Sequence, residues 1–293
     1  MANYTTFQGL FKGIADAIRA KDGTVASIAP LDFPSRISAL GSIDLFNAMV
    51  EKTVTSVSNS SITEIGAYAF ASALSLRSID FPNCITINDS AFYGCRRLST
   101  ISFPNCTTIG ASAFYDCVIL NNISFPSCTA IGPSAFHYCG RLLTVNFPNC
   151  TTIGSGAFNY CRSLTTISFP NCTTIEYNAF RDCTSLSTAN FPNCVTIGVN
   201  AFFGCSSLNN ISLPSCTTIG SSAFAVCTRL ISLYLMGSFV VSLVHSDVFK
   251  STPIGGYSTI VGQYGSIYVP MSLLADYQTA TNWSLYSNRL VGV

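Results

Sequence analysis

Phe103-Pro-Asn-Cys-Thr-Thr-Ile-Gly110, FPNCTTIG, returns letter for letter at Phe147 to Gly154, and close variants begin at Phe81, Phe125, Phe169, Phe191 and Leu213. These starting points follow one another every 22 residues without an insertion. A unit that short cannot bury its apolar face alone, so a strict period of this length marks one supersecondary motif stacked on copies of itself.

The copy 103–124, FPNCTTIGASAFYDCVILNNIS, shows which positions stay apolar in its siblings: Phe103, Cys106, Ile109, Ala113, Phe114, Cys117, Leu120 and Ile123. Before it, Leu98-Ser-Thr-Ile101-Ser-Phe103 alternates with period two and reads as a strand that directs Ile101 and Phe103 to one face. Pro104 lacks a ladder donor and ends that strand. Gly110, with Gly66, Gly132, Gly154, Gly198 and Gly220 in equivalent places, reads as a permissive turn residue. Asn88 tolerates a left-handed turn and Glu176 does not, so the Glu176 rung is expected to turn differently. Ser112 and its counterparts Ser90, Ser134, Asn178, Asn200 and Ser222 read as helix N-caps, each opening one short helical turn that carries the Ala-Phe pair.

All 14 cysteines belong to the repeat, recurring every 11 residues from Cys84 to Cys227. Stacking turns them into two ladders, one thiol of each per rung. Small and readily buried, cysteine suits a tight inward corner. Rung-to-rung spacing of about 4.8 Å would accept a disulfide, but a ladder of seven cannot pair completely. No Cys-X-X-Cys or histidine cluster points to zinc. Reduced, structural thiols are the expectation.

The full pattern, Cys-X-X-Leu-X-X-Ile-X-Phe-Pro-X-Cys-X-X-Ile-Gly-X-X-Ala-Phe-X-X-Cys, resembles the BspA-type leucine-rich repeat, also called the Treponema type. The resemblance covers seven clear copies over 81–234 and a degenerate one, 59–80, that keeps Ile65-Gly66 and Ala69-Phe70. It implies a repeat solenoid: a right-handed coil of parallel β-strands with one short helical turn per rung. Eight rungs would stack to about 38 Å.

The ends differ from the repeat. In residues 1–58, Phe7, Leu10, Phe11, Ile14 and Ile18 share one helical face, which suits either a cap over the first rung or an attachment helix. The stretch Ile14 to Gly23, with Asp32 to Ile37, is similar to amino-terminal segments of phage structural and tail-associated proteins from Gram-positive gut bacteria. Ile267 to Pro270, Leu274 to Tyr277 and Ala280 to Ser284 resemble the closing segment of the same kind of protein. Physically, Ile267 to Val269 reads as a last strand and Ser272 to Thr279 as a covering helix. Val248-Phe249 echoes the Ala-Phe pair in a distorted ninth copy, and the loop from Thr252 to Gly265 reads as exposed. The expected organisation is 1–58 helical module, 59–234 solenoid, 235–293 distorted repeat and C-terminal cap.

Composition narrows the function. Only 9% of residues are charged and the net charge is +1, which gives no polyanion signal against the usual quarter. No apolar run approaches the roughly 18 residues of a membrane span, and the amino terminus lacks the basic start and apolar block of a secretory signal. His137 sits at a position filled elsewhere by Tyr, Asn, Arg, Phe or Ala, and His245 has no acid or nucleophile partner evident from spacing. Catalytic residues, cofactors and metal ligands are therefore not expected.

Outward positions are free to vary, so a binding surface is sought there. The strand face offers a flat, uncharged set of Ser, Thr and Asn. The segment after each Ala-Phe instead carries Tyr93, Arg96, Arg97, Tyr115, His137, Tyr138, Arg141, Tyr160, Arg162, Arg181, Phe203 and Arg229, with Asp116 and Asp182 between them. Stacking would align these as a ridge of residue types favoured in binding hot spots. The expectation is a non-enzymatic phage virion protein, tail-associated or capsid-decorating, joined to other virion proteins through residues 1–58. Its ridge would meet a host-surface protein or glycan. Self-association fits the same module; nucleic acid and membrane insertion do not fit. A bacterial BspA-like surface adhesin and an unrecognised polysaccharide hydrolase are the alternatives.

Overall fold

The computed structural model describes residues 54–256 and 258–293, so the expected helical face of Phe7, Leu10, Phe11, Ile14 and Ile18 lies outside the described residues. Within them, three-residue strands from Ser56–Ser58 to Ser232–Tyr234 alternate with two-residue strands from Glu64–Ile65 to Ser242–Leu243. With the exception of Thr100–Ser102 and Asn122–Ser124, successive counterparts pair in parallel, one period apart through the regular repeats, as in Ser56 with Ser78 and Thr108 with Ala130. The chain is thus a parallel β-solenoid whose register is the sequence period itself. One ladder runs unbroken through nine short strands; the other divides between Thr100–Ser102 and Asn122–Ser124 into sets of three and eight. Ser56–Ser58 already pairs with Ser78–Asp80, so the ladder begins before residue 59.

The apolar positions fill the coil. Phe81, Phe103, Phe125, Phe147 and Phe169 stack with centroids 5.3–5.9 Å apart, and a second column through Phe92, Phe114, Phe136 and Phe158 stacks at 5.0–5.3 Å. The two columns meet at tilted or edge-on angles, as for Phe136 and Phe147, 6.0 Å and 65° apart. These rings are excluded from water, each burial contributing about 1.5–3 kcal/mol.

Three expectations about the turn are corrected. The segment after Gly110 is not helical: Ser112 and Asp116 both have positive φ, 54° and 61°, and the same two positions are left-handed in Ser90 and Gly94, Ser134 and Tyr138, and Asn178 and Asp182. Left-handed residues four apart break an α-helix. The Phe114 N–H donates instead to the Ala135 carbonyl of the next rung, 2.7 Å away, and Phe136 donates to Ala157 at 2.8 Å, so the turns form a third hydrogen-bonded column. Second, Gly110 does not have a positive φ; a Cβ there would lie 2.6 Å from the Asp89 nitrogen, and at Gly132 2.6 Å from the Gly110 carbonyl carbon. Close approach of stacked backbones, rather than a special dihedral, explains this glycine. Third, the Glu176 rung turns like the others, and its carboxylate accepts from the Ser155 N–H at 3.0 Å and hydroxyl at 2.8 Å.

At the C-terminal end, Ser266–Val269 continues the long ladder. A 3-10 turn, Met271–Leu273, and helix α1, Leu274–Thr279, follow; after a second 3-10 segment, Ser284–Arg289, the strand Leu290–Gly292 pairs beyond Ser266–Val269, so Ile267 to Val269 is not the last strand. Trp283, Tyr277 and Tyr286 close the stack over Phe249. The Trp283 ring N–H donates to the Val241 carbonyl at 2.6 Å. The Thr252 to Gly265 loop is only partly exposed: Thr252, Pro253, Ile254 and Gly265 are buried, while Gly255, Thr259, Ile260 and 262–264 are exposed.

Candidate functional site

Both thiol ladders are internal. All fourteen cysteines are free and buried. In one ladder Cys106 Sγ–H donates to the Thr108 carbonyl at 3.2 Å; in the other Cys117 Sγ–H donates to the Phe92 carbonyl of the preceding rung at 3.3 Å. Burial outweighs these bonds and pushes the thiols up, Cys150 to about 11 and Cys95 to about 12. A group held neutral this way is a poor nucleophile and a poor soft-metal ligand. Among the described residues no cluster of three His, Cys, Asp or Glu side chains is placed to hold a metal.

His245 does have an acid partner, two residues on: its Nδ1 lies 2.9 Å from Asp247 Oδ1. Asp247 also accepts from the Ser221 hydroxyl at 3.0 Å and from the Ser222 N–H and hydroxyl. Burial alone would raise its pKa, but these hydrogen bonds hold it at about 2. The serine hydroxyls bond to the carboxylate rather than to the imidazole, an order that orients a turn and does not activate a nucleophile.

The residues after Ala-Phe do gather along one edge. Tyr93 and Tyr115 stack with centroids 4.9 Å apart and planes 8° apart; Tyr138 and Tyr160 stack at 5.0 Å and 13°. His137 joins the two pairs, 5.0 Å from Tyr115 and 5.9 Å from Tyr160. It is half-buried rather than a free surface residue, its pKa drawn down by that burial, and its Nε2 has no hydrogen-bond partner. Tyr138 and Tyr160 have φ of 61° and 60° at the position that Gly94 and Gly204 occupy in other rungs.

The charges on this edge are unequal. Arg96 Nε lies 2.6 Å from Asp116 Oδ2, tying two rungs together, and Arg181 Nε lies 3.2 Å from Asp182 Oδ2. Arg162 lies 5.3 Å over the Tyr160 ring and Arg181 4.5 Å over Phe203. Arg97, Arg141 and Arg229 are exposed, with no ion pair among the described residues. The edge is therefore not one continuous ridge. The column of Tyr93, Tyr115 and His137 gives way to buried Asn159 and that of Tyr138 and Tyr160 to Asp182, leaving a four-rung run from Tyr93 to Arg162 and a smaller cluster of Arg181, Asp182 and Phe203, with Arg229 apart.

Elsewhere, a shallow cleft lined by Ser99, Thr100, Ile119, Asn121 and Asn122 lies where the long ladder divides. Ser99, Thr100, Asn121 and Asn122 match their siblings in polarity, but Ile119 stands where other rungs carry Arg97, Arg141, Ser163, Ser185, Ser207 and Arg229, a departure visible in the sequence that its reading passed over.

A family model described as a BspA type leucine rich repeat region in six copies matches residues 26–142, 63–187 and 129–254. Among solved structures, a leucine-rich repeat protein from Bacteroides ovatus is 28% identical, with a TM-score of 0.58, over 74% of this chain and 56% of its own. The T. pallidum leucine rich repeat protein is 31% identical, with a TM-score of 0.50, over 53% of this chain and 78% of its own. The chain thus spans little more than half the length of the first of these. No curated protein sequence matches it.

Proposed function

Because the chain belongs to the BspA-type leucine-rich repeat family, we propose that it is a non-enzymatic recognition scaffold that binds its partner through the four-rung tyrosine and arginine edge from Tyr93 to Arg162. One observation carries this reading. Tyr138 and Tyr160 hold a left-handed backbone that Gly94 and Gly204 adopt without steric cost, a strain of about 1–2 kcal/mol per residue. The solenoid does not need tyrosine there, since Ser72, Asp116, Asp182 and Val226 hold the same backbone in other rungs; these two rings instead stack on one another beside exposed Arg141, residue types favoured in binding hot spots.

Display on a phage virion, through residues 1–58, rests on the resemblance of 14–23 with 32–37, and of 267–270, 274–277 and 280–284, to phage structural segments. The bacterial origin of the two structural neighbours favours a second reading, a BspA-like protein displayed on a cell surface. Particles carrying Tyr138→Ser with Tyr160→Ser should adsorb to their host at least about tenfold more slowly, a loss of the size hot-spot truncation produces. Unchanged adsorption would remove the edge from the recognition step, and absence of the chain from purified particles would remove the virion.

A further inference from the structure

Charge is segregated on the solenoid. Of seven arginines and six acids between residues 59 and 234, all but Arg77 of the arginines lie on the edge, against only two of the acids. The other acids are drawn into the framework or lie elsewhere: Asp89 accepts from the Ala111 N–H at 2.7 Å, and Glu176 from Ser155. Within the four-rung run, Asp116 neutralises Arg96, while Arg97 and Arg141 are exposed without an ion pair among the described residues and Arg162 rests over a tyrosine ring. A near-neutral protein thus carries one basic stripe, which is where an anion is attracted.

Ring geometry then selects the class of anion. Single-stranded nucleic acid binds such stripes by stacking bases on open aromatic faces. Here Tyr138 and Tyr160 lie 5.0 Å apart at 13°, so each covers a face of the other, and the row offers ring edges and phenol hydroxyls. Those hydroxyls suit a polyol. Guanidinium groups pair bidentately with carboxylates and phosphates alike, and the phenol hydroxyls beside them favour an acidic sugar over a phosphate chain. Arg97 and Arg141 occupy the same repeat position two rungs apart, with Ile119 between them, so acid groups spaced along one polymer meet both, and weak contacts add through effective concentration.

We propose, resting on the recognition reading above, that this edge binds a polymeric glycan bearing carboxylates, with Arg97 and Arg141 holding the acid groups and Tyr115, Tyr138 and Tyr160 the hydroxyls. Titration of the full chain with polygalacturonate, dextran, polyphosphate and polythymidylate at low and physiological ionic strength tests it. The proposal expects polygalacturonate to bind most tightly and to weaken with salt. Arg97→Gln with Arg141→Gln should reduce that affinity at least about tenfold, while Arg77→Gln, an exposed arginine off the edge, leaves it unchanged. Polygalacturonate affinity that ignores the double substitution overturns the proposal, as does a preference for polyphosphate or polythymidylate. Equal binding of dextran that is lost in Tyr138→Ser with Tyr160→Ser overturns the anion while keeping the edge; binding of any polymer that survives both double substitutions overturns the edge as well.

Discussion

Cysteine is the residue whose role the sequence displayed most openly and whose consequence needed the structure. The 11-residue spacing placed every thiol on an inward corner, and each is buried; the carbonyl partners could not be read from spacing. The pKa shifts give a pH dependence with a definite sign. An unfolded thiol ionises near 9.0, whereas burial keeps Cys84 neutral to about 11 and Cys106 to about 12. Stability should therefore be fully present below pH 9 and fall as pH rises toward 11 and 12, each buried thiol contributing up to about 1.4 kcal/mol per pH unit. Denaturation at graded alkaline pH measures this, and a flat profile between pH 9 and 11 would contradict it. Val226 gives a second prediction at this scale. It is exposed, yet its β-branched side chain sits at φ 61°, where such residues are strained. Val226→Gly should stabilise by about 1 kcal/mol, raising the melting midpoint by a few degrees; a lower midpoint would show that the valine packs better than its exposure indicates.

At the scale of the element, each letter of FPNCTTIG now has a contact. Phe103 joins a ring column, Pro104 ends a strand, and the Asn105 side-chain amide donates to the Pro82 carbonyl one rung back at 2.8 Å, as Asn149 does to Pro126. The Thr107 hydroxyl donates to the Ile85 carbonyl at 3.3 Å, and Thr108-Ile109 forms the short strand. Strand positions and core were legible because period-two alternation and a fixed repeat both survive in one sequence. The turn was not. Ser and Asn favour helix N-caps and also tolerate the left-handed region, so Ser112 and Asn178 carried two signals, and stacked turns gave the backbone better partners between rungs than one helical turn could within one. Gly110 misled in a similar way, since permissive dihedrals and close approach both select glycine. Two substitutions separate those causes. Gly132→Ala drives a Cβ into the Gly110 backbone and should destabilise by about 1–3 kcal/mol, whereas Gly66→Ala, with nothing within 4 Å of the new Cβ, should change stability by less than about 0.5 kcal/mol. Equal effects in denaturant titrations would restore the dihedral explanation.

Across the whole molecule, repetition determines the fold, and departures from repetition carry what is specific to this chain. A solenoid propagates one register from rung to rung, so the Tyr and Arg residues named from the sequence had to fall on one edge. Which of them touch could not be read that way. The stacking of Tyr138 on Tyr160, the neutralisation of Arg96 by Asp116 and the burial of Asn159 depend on rotamers and packing. His245 shows the same limit: its bond to Asp247 comes from the distorted ninth copy, where the period no longer guides. Binding of the labelled full chain to polygalacturonate and to intact bacterial cells, compared between Tyr138→Ser with Tyr160→Ser on the edge and Asn121→Ser with Asn122→Ser in the strand-face cleft, tests the central claim most directly. The account predicts at least about tenfold weaker binding for the tyrosine pair and no change for the asparagine pair; the reverse pattern would place recognition on the strand face and contradict it.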